Sequence, residues 1–140
     1  MATRREPRWL SVEAVRALHA EQIDLFGGES GLLDPRSLEA ALARPQNAFS
    51  HGRTTDLAGL AAIYFVGLVR AHAFVDGNKR VGLAAALVFV ALNRRPLHVP
   101  PLDLYALTMR VAMGRAKEAQ VATWLRRRLG TRNQIGRAHV

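Results

Sequence analysis

His72-Ala73-Phe74-Val75-Asp76-Gly77-Asn78-Lys79-Arg80 is the stretch on which the reading of this chain turns. It sets an imidazole, a carboxylate, a glycine turn, an amide and two cations close together, and an almost wholly apolar run, residues 81–92, follows at once. That order predicts a short polar loop opening a buried helix, with the loop's charged groups gathered at the helix N-terminus. The first N–H groups of a helix lack intrahelical acceptors and the macrodipole is positive there, so this end attracts anions. Lys79 and Arg80 would turn it into a phosphate cradle. Asp76 adds a place for Mg²⁺, and His72 adds a proton acceptor of the side-chain type that ordinarily titrates near neutrality. These are the parts that phosphate-transfer chemistry needs. Each also has a plainer explanation: Asp-Gly-Asn is common turn chemistry, Asp76 can cap a helix, and Lys-Arg at a helix start can be solvated charge. A turn and a cap explain neither His72 nor the paired cations.

On both sides of this stretch the sequence reads as helices joined by short loops. Upstream, Asp56 opens a strongly apolar helix ending at Arg70 or Ala71, with Leu60, Ile63, Tyr64, Val66 and Leu68 available for packing. Downstream, the helix from Asn78 to about Leu92 carries Gly82, Ala84, Ala85 and Ala86 for close approach and Leu83, Leu87 and Phe89 for the core. It is apolar on every side, so it is expected to be surrounded by other helices. Ser11 can cap a first helix ending near Phe26, where Gly27-Gly28 stops it. Asp34-Pro35 is an N-cap acceptor followed by proline at the first helical position, and that helix is expected to stop near Arg44 because Pro45 follows. From Arg44 to Thr55 no period is evident, which reads as a loop or short extended flap. Asn93-Arg94-Arg95-Pro96 breaks the chain again, residues 97–99 suit a short extended piece, and helices over 102–113 and 117–129 complete the set. The expected fold is therefore all-α, a compact bundle of about six helices around a buried central helix. Residues 1–134 form one domain on this reading, with residues 1–8 frayed and residues 135–140 a non-native tail.

Composition narrows the function classes. A chain of 140 residues can bury roughly two-thirds of its unfolded surface without staples. The absence of cysteine excludes a disulfide framework and a thiolate metal site, and fits a reducing compartment. No apolar stretch follows the Arg-rich start, and residues 81–92 fall short of the roughly 20 needed to span a bilayer, so a cytoplasmic protein without a membrane partner is expected. The formal charge of +9 invites a nucleic-acid reading, but the basic residues are spread along the chain, with one tight cluster at Arg126-Arg127-Arg128. Eighteen arginines against two lysines look like coding bias rather than a phosphate-binding device. Direct nucleic-acid binding is not expected; an acidic protein partner is.

The nonapeptide resembles the signature of the Fic/Doc family. Its Fic branch reads H-P-F-x-[D/E]-G-N-G-R-x-x-R, and its Doc (death-on-curing) branch reads close to H-x-F-x-[D/N]-A-N-K-R. This chain has Ala73, Lys79 and Leu83 where the Fic branch has proline, its second glycine and its second arginine. From the Doc pattern it departs at Gly77, where that branch has alanine. Gly31-Leu32-Leu33-Asp34, the run from Leu38 to Asn47 and the segment 121–129 also resemble Doc-type chains, so the likeness covers about residues 8–130.

The resemblance implies a toxin of a toxin–antitoxin pair that binds ATP with Mg²⁺ and phosphorylates a threonine of elongation factor Tu, blocking translation. His72 would be the general base, Asp76 the Mg²⁺ ligand, and Gly77, Asn78, Lys79 and Arg80 the nucleotide-phosphate site, with Phe74 anchoring the loop. Lys79 could equally point to solvent. The residues 44–49 would line the cleft as a flap, though an ordinary surface loop explains them nearly as well; His51 is expected to be an exposed loop histidine, and His19 and His98 have no supporting constellation. A Fic-type AMP transferase, or a catalytically silent binding module, are the alternatives. Lys79 and Leu83 speak against AMP transfer and Gly77 speaks for it. The self-restraining [S/T]-x-x-x-E-[G/N] segment of many Fic proteins is not found, so restraint by a Phd-like antitoxin is implied.

Overall fold

The structure, a computed structural model, describes residues 5–129. It contains six helices in this range: α1 (Val12–Phe26), α2 (Pro35–Ser50), α3 (Leu57–Ala71), α4 (Asn78–Leu92), α5 (Pro101–Ala112) and α6 (Glu118–Arg128). Local chemistry sets their starts. The Ser11 hydroxyl accepts from the Ala14 N–H at 3.0 Å, and the Asp34 carboxylate accepts from the Ser37 N–H at 3.1 Å with Pro35 opening the helix. Both arrangements satisfy N–H groups that have no partner inside the helix.

The hub is α3, not the helix that follows the motif. Eleven of its fifteen residues are buried, against six of fifteen in α4. Helices α2, α4 and α6 pack around it, α1 lies against α4, and α5 touches both α3 and α4. Small residues permit this density. A Cβ on Gly82 would come within 2.7 Å of Val69 Cγ2 and 3.0 Å of the Phe65 carbonyl, so α3 and α4 meet almost backbone to backbone. Helix α4 is packed most closely on the α3 side. Phe89 is fully buried, but Leu83 and Leu87 are half-buried and Val88 is exposed.

Pro45 does not stop α2, which runs on to Ser50 with the proline inside it. A proline in a helix interior costs about 3 kcal/mol. The apolar spacing of Leu38, Leu42, Pro45 and Ala48 continues through it, however, and all four are buried. Beyond it the Phe49 ring packs edge-on against Trp9 at 5.7 Å. Burying a large apolar side chain contributes about 1.5–3 kcal/mol, so the packed face outweighs the missing hydrogen bond. The expected flap over residues 44–49 is thus helix. Arg44 holds Glu118 at the start of α6, its Nη2 lying 2.9 Å from both carboxylate oxygens.

Residues 97–99 pair with nothing in the described range, and the one β-bridge there joins Leu32 to Phe74. Nor is Arg8 frayed. Its N–H donates to Asn93 Oδ1 at 2.8 Å, Asn93 Nδ2 donates back to its carbonyl at 3.0 Å, and the next residue stacks its indole on Phe89. The tail at residues 135–140 and the first four residues lie outside the described residues.

Candidate active site at the start of helix α4

The site is built where α3 hands the chain to α4. Helix α3 ends at His72, which takes a left-handed backbone conformation (φ 48°, ψ 42°). Such a conformation is unfavourable for a residue with a Cβ, and it turns the chain sharply out of the helix. Ala73 and Phe74 then run extended through the interior. The Ala73 carbonyl accepts from Leu33 and Asp34 at 2.7 and 2.9 Å, and the Val75 N–H donates to the Gly31 carbonyl at 3.0 Å. The segment before α2 therefore splints the motif loop from outside.

Inside the loop, Asn78 acts as a brace. Its Oδ1 accepts from the Phe74 N–H at 3.1 Å and its Nδ2 donates to the Phe74 carbonyl at 2.9 Å. Half of the side chain's hydrogen-bonding capacity is thereby committed to the loop, and one N–H of the amide is left for a ligand. Gly77 precedes α4 in a left-handed conformation (φ 77°), and no side chain caps this helix end. The N–H groups of its first turn are left for an external acceptor.

Asp76 is exposed, yet both its carboxylate oxygens are held. Oδ2 accepts from the Glu29 N–H at 3.2 Å and Oδ1 from the Gly77 N–H at 2.8 Å. These two backbone donors, with Arg80 and His19 adding smaller electrostatic contributions, hold its pKa below the ordinary carboxylate value. Arg80 reaches back to α1, where its Nη1 donates to the carbonyls of Gly27 at 2.8 Å and Gln22 at 3.2 Å. It thus satisfies the end of α1 while keeping Nη2 and Nε available. Gly28 makes the junction possible: at φ +115° it sits so close that a Cβ would lie 2.6 Å from Asp76 Oδ2 and 3.0 Å from Arg80 Nη2.

His72, Asp76, Gly77, Asn78, Lys79 and Arg80 all line one open cleft of about 570 Å³. The His72 side chain is exposed in it, with no hydrogen bond to the described residues. Lys79 lines the cleft as well as a neighbouring groove. Phe74 is buried and stacks on the His19 ring, centroids 3.9 Å apart and planes 11° from parallel. Residues 44–49 contribute nothing to this cleft; Arg44 faces a separate hollow between α2, α3 and α6. His51 is exposed at the end of α2, its Nδ1 2.8 Å from the Asn47 carbonyl.

Three features of the site were not evident in the sequence. His19 is buried in α1 and its Nε2 lies 2.7 Å from the Asp76 carbonyl. The signal was its spacing of four from the buried Val15, which places both on the inner face. Glu29 contributes through its backbone, where side-chain identity carries no information. Arg70, in the last turn of α3, adds a further cation to the cleft wall.

The donor set suits one divalent cation of the Mg²⁺ kind. Among the described residues there is no group of three metal-ligating side chains. Mg²⁺ is commonly held by one or two carboxylates with substrate phosphates and water completing the shell. Asp76 supplies one such carboxylate beside a helix N-terminus and two cations.

Residues 9–90 match the profile of the Fic/DOC family, and so include every residue of the motif. The chain belongs to the Fic/DOC family. It is 37% identical over 124 residues to a protein of Escherichia phage P1 named protein kinase doc, covering 89% of this chain and 98% of that one. It is also 44% identical over 69 residues to toxin Doc of Mycolicibacterium smegmatis, covering 49% of this chain and 53% of the relative. These relatives place it on the Doc-type branch. No helix among the described residues is long and apolar enough to cross a membrane.

Proposed function

We propose that this chain is the toxin of a toxin–antitoxin pair and acts as an ATP-dependent protein kinase on a threonine hydroxyl, with elongation factor Tu as the target. The observation that carries this reading is the gathering of His72, Asp76, Lys79, Arg80 and an uncapped helix start around one open cleft. The protein kinase of phage P1, similar along nearly its whole length, supports the choice of phosphate transfer.

In this reaction the threonine oxygen attacks the γ-phosphorus of ATP and its proton passes to an imidazole nitrogen of His72. The new O–P bond forms as the bond from the γ-phosphorus to the β–γ bridging oxygen breaks, and ADP leaves. The exposed imidazole at the end of α3 suits a base that must meet a bulky protein substrate. The first-turn N–H groups of α4 and the free guanidinium nitrogens of Arg80 would hold phosphate oxygens, and Lys79 would add a point charge. Asp76 would hold Mg²⁺, which supplies charge neutralisation for the phosphates when bound. Because both Asp76 oxygens are already oriented by backbone donors, the carboxylate needs little rearrangement to do so. Positioning and charge carry such a transfer.

AMP transfer is the second reading, and Gly77, the Fic-like residue of the motif, is the observation that favours it. Incubation with Mg²⁺, elongation factor Tu and ATP labelled separately at the α- and γ-phosphates separates the two. Label from the γ-position alone, lost in His72→Ala, is the expected result. Label from the α-position would establish AMP transfer, and no label on elongation factor Tu would remove that target.

Restraint is assigned to a Phd-like antitoxin. An apolar groove of about 650 Å³ between α1, α4 and α5 is walled by Phe26, Leu83, Leu87, Leu104 and Tyr105, and it shares Lys79 and Arg80 with the cleft. An amphipathic antitoxin helix with an acidic end would fit the groove and reach those two cations. Full kinase activity with saturating antitoxin bound would refute this assignment.

A further inference from the structure

Besides Tyr64, whose hydroxyl accepts from the Leu10 N–H, the buried polar side chains among the described residues are His19 and Thr108, and Thr108 donates within its own helix to the Leu104 carbonyl. His19 instead reaches across to the motif loop. A carbonyl oxygen only accepts, so the Nε2 that lies 2.7 Å from the Asp76 carbonyl carries the proton and donates it. Stacking on Phe74 holds the ring in that plane. The acceptor belongs to the peptide joining Asp76 to Gly77, and a planar trans peptide points its C=O and N–H in opposite directions. With the carbonyl held toward α1, the Gly77 N–H is directed away from it, where Asp76 Oδ1 accepts at 2.8 Å. Gly77, at φ 77°, has no Cβ to resist rotation of that peptide. A hydrogen bond is what selects one orientation. Contact is close enough to matter: a Cβ on Gly77 would lie 3.3 Å from Ile23 Cδ1 and 3.4 Å from His19 Nε2.

We propose that His19 is a positioning residue whose Nε2–H locks the Asp76–Gly77 peptide and thereby sets the Asp76 carboxylate at the mouth of the cleft. The consequence for ligand binding rests on the reading of Asp76 as the Mg²⁺ group; the lock itself does not. A buried histidine that only stabilises the core would show a different pattern, since its loss would lower stability without reorienting a peptide.

Two variants and one spectrum decide it. His19→Gln can place an amide N–H near the position of Nε2, whereas His19→Leu keeps volume without a donor. In ¹⁵N spectra of the full chain without nucleotide, the Gly77 amide of His19→Gln is expected to stay near its wild-type position, and that of His19→Leu to shift or broaden. Affinity for Mg²⁺–ATP, measured by calorimetry, should then fall by about 10- to 100-fold in His19→Leu, the range typical for partners that orient a metal ligand. It should fall by less than about threefold in His19→Gln, which keeps a donor near the Nε2 position. Should His19→Leu not fold, the wild-type spectrum still decides the lock: a slowly exchanging His19 Nε2–H coupled to the Asp76 carbonyl carbon is expected, and its absence overturns the proposal. Equal affinity losses in both variants, or an unmoved Gly77 amide in a folded His19→Leu, would also overturn it. If wild-type chain binds no Mg²⁺–ATP, the kinase reading fails while the Gly77 amide and the His19 Nε2–H still report on the lock.

Discussion

The two hollows that share Lys79 and Arg80 are made from opposite materials. On one side of these cations lies the cleft, where an exposed imidazole and a carboxylate held by two backbone N–H groups meet a helix N-terminus. On the other lies a groove of comparable size lined by Phe26, Leu83, Leu87 and Tyr105. Phe26 is 68% exposed and Tyr105 62% exposed, so this apolar surface is open to water. A polar cleft costs little to leave solvated, whereas an open apolar groove forgoes burial worth about 25 cal/mol per Å² until something fills it. Chemistry and restraint are therefore expected to be separable along α4, with the two cations common to both.

The largest effect should come from the cleft alone. His72→Ala should lower kcat for phosphate transfer by about 10²–10⁴-fold, the usual worth of a general base, with KM for ATP nearly unchanged. Because His72 occupies a left-handed conformation, His72→Gly should be equally inactive but more stable by about 1 kcal/mol, read from denaturant unfolding. Antitoxin binding should be the same in both. A matching loss of antitoxin affinity would mean that the two hollows are not separate.

The groove should give the converse result. Tyr105→Ala truncates an exposed aromatic of the kind that anchors interfaces, and a loss of about 2 kcal/mol, roughly 30-fold in antitoxin affinity, is expected with kinase activity retained. Arg80 tests the junction. Arg80→Lys keeps the charge but not the fork that donates to Gln22 and Gly27. It should raise KM for ATP roughly tenfold and weaken antitoxin binding together, since a bidentate site does not accept lysine as an equivalent. Stability should also fall by about 1–2 kcal/mol as two carbonyls lose their donor.

The difference between the hollows also explains what could be read before the fold was known. The cleft is legible because its residues are consecutive: a stretch of nine residues carries His72, Asp76 and Arg80 into one place whatever surrounds it. The groove is not, because Leu83 and Leu87 look like core residues in a helix that is apolar all round. Only the gap between α1 and α5 leaves them open, and such a gap is a tertiary property. Pro45 misled for a related reason. Its local cost is real, but the burial that overrides it depends on α3 lying opposite. His19 carries no functional signal in the sequence because its partner is a backbone carbonyl 57 residues away, which no side-chain pattern announces. Helix limits set by local chemistry, such as Ser11, Asp34 and Gly27, are legible in the sequence because the capping group lies at the limit itself.

The smallest predicted effect compares the cleft carboxylate with one outside both hollows. Asp34 is held below its usual value of 3.8 chiefly by the Ser37 hydroxyl, then by the Ser37 N–H. Asp76 is held below 3.8 chiefly by the Glu29 N–H, then by that of Gly77. A carboxyl group whose folded pKa is depressed binds protons less readily when folded than when unfolded. Its contribution to stability is therefore complete above the unfolded value and is lost as pH falls through the folded one. Thermal stability should accordingly decline as pH drops below about 3.8, the reference value for both groups. Asp34→Asn and Asp76→Asn should each flatten that decline, since an amide does not titrate. Both groups are solvent-facing, so added salt should weaken the share that comes from charge. That share is expected to be larger for Asp76, on which both Arg80 and His19 act electrostatically, than for Asp34, on which Arg36 alone does. Equal salt sensitivity in the two variants would mean that Arg80 contributes little to the field at Asp76, and that the guanidinium serves the α1 carbonyls first.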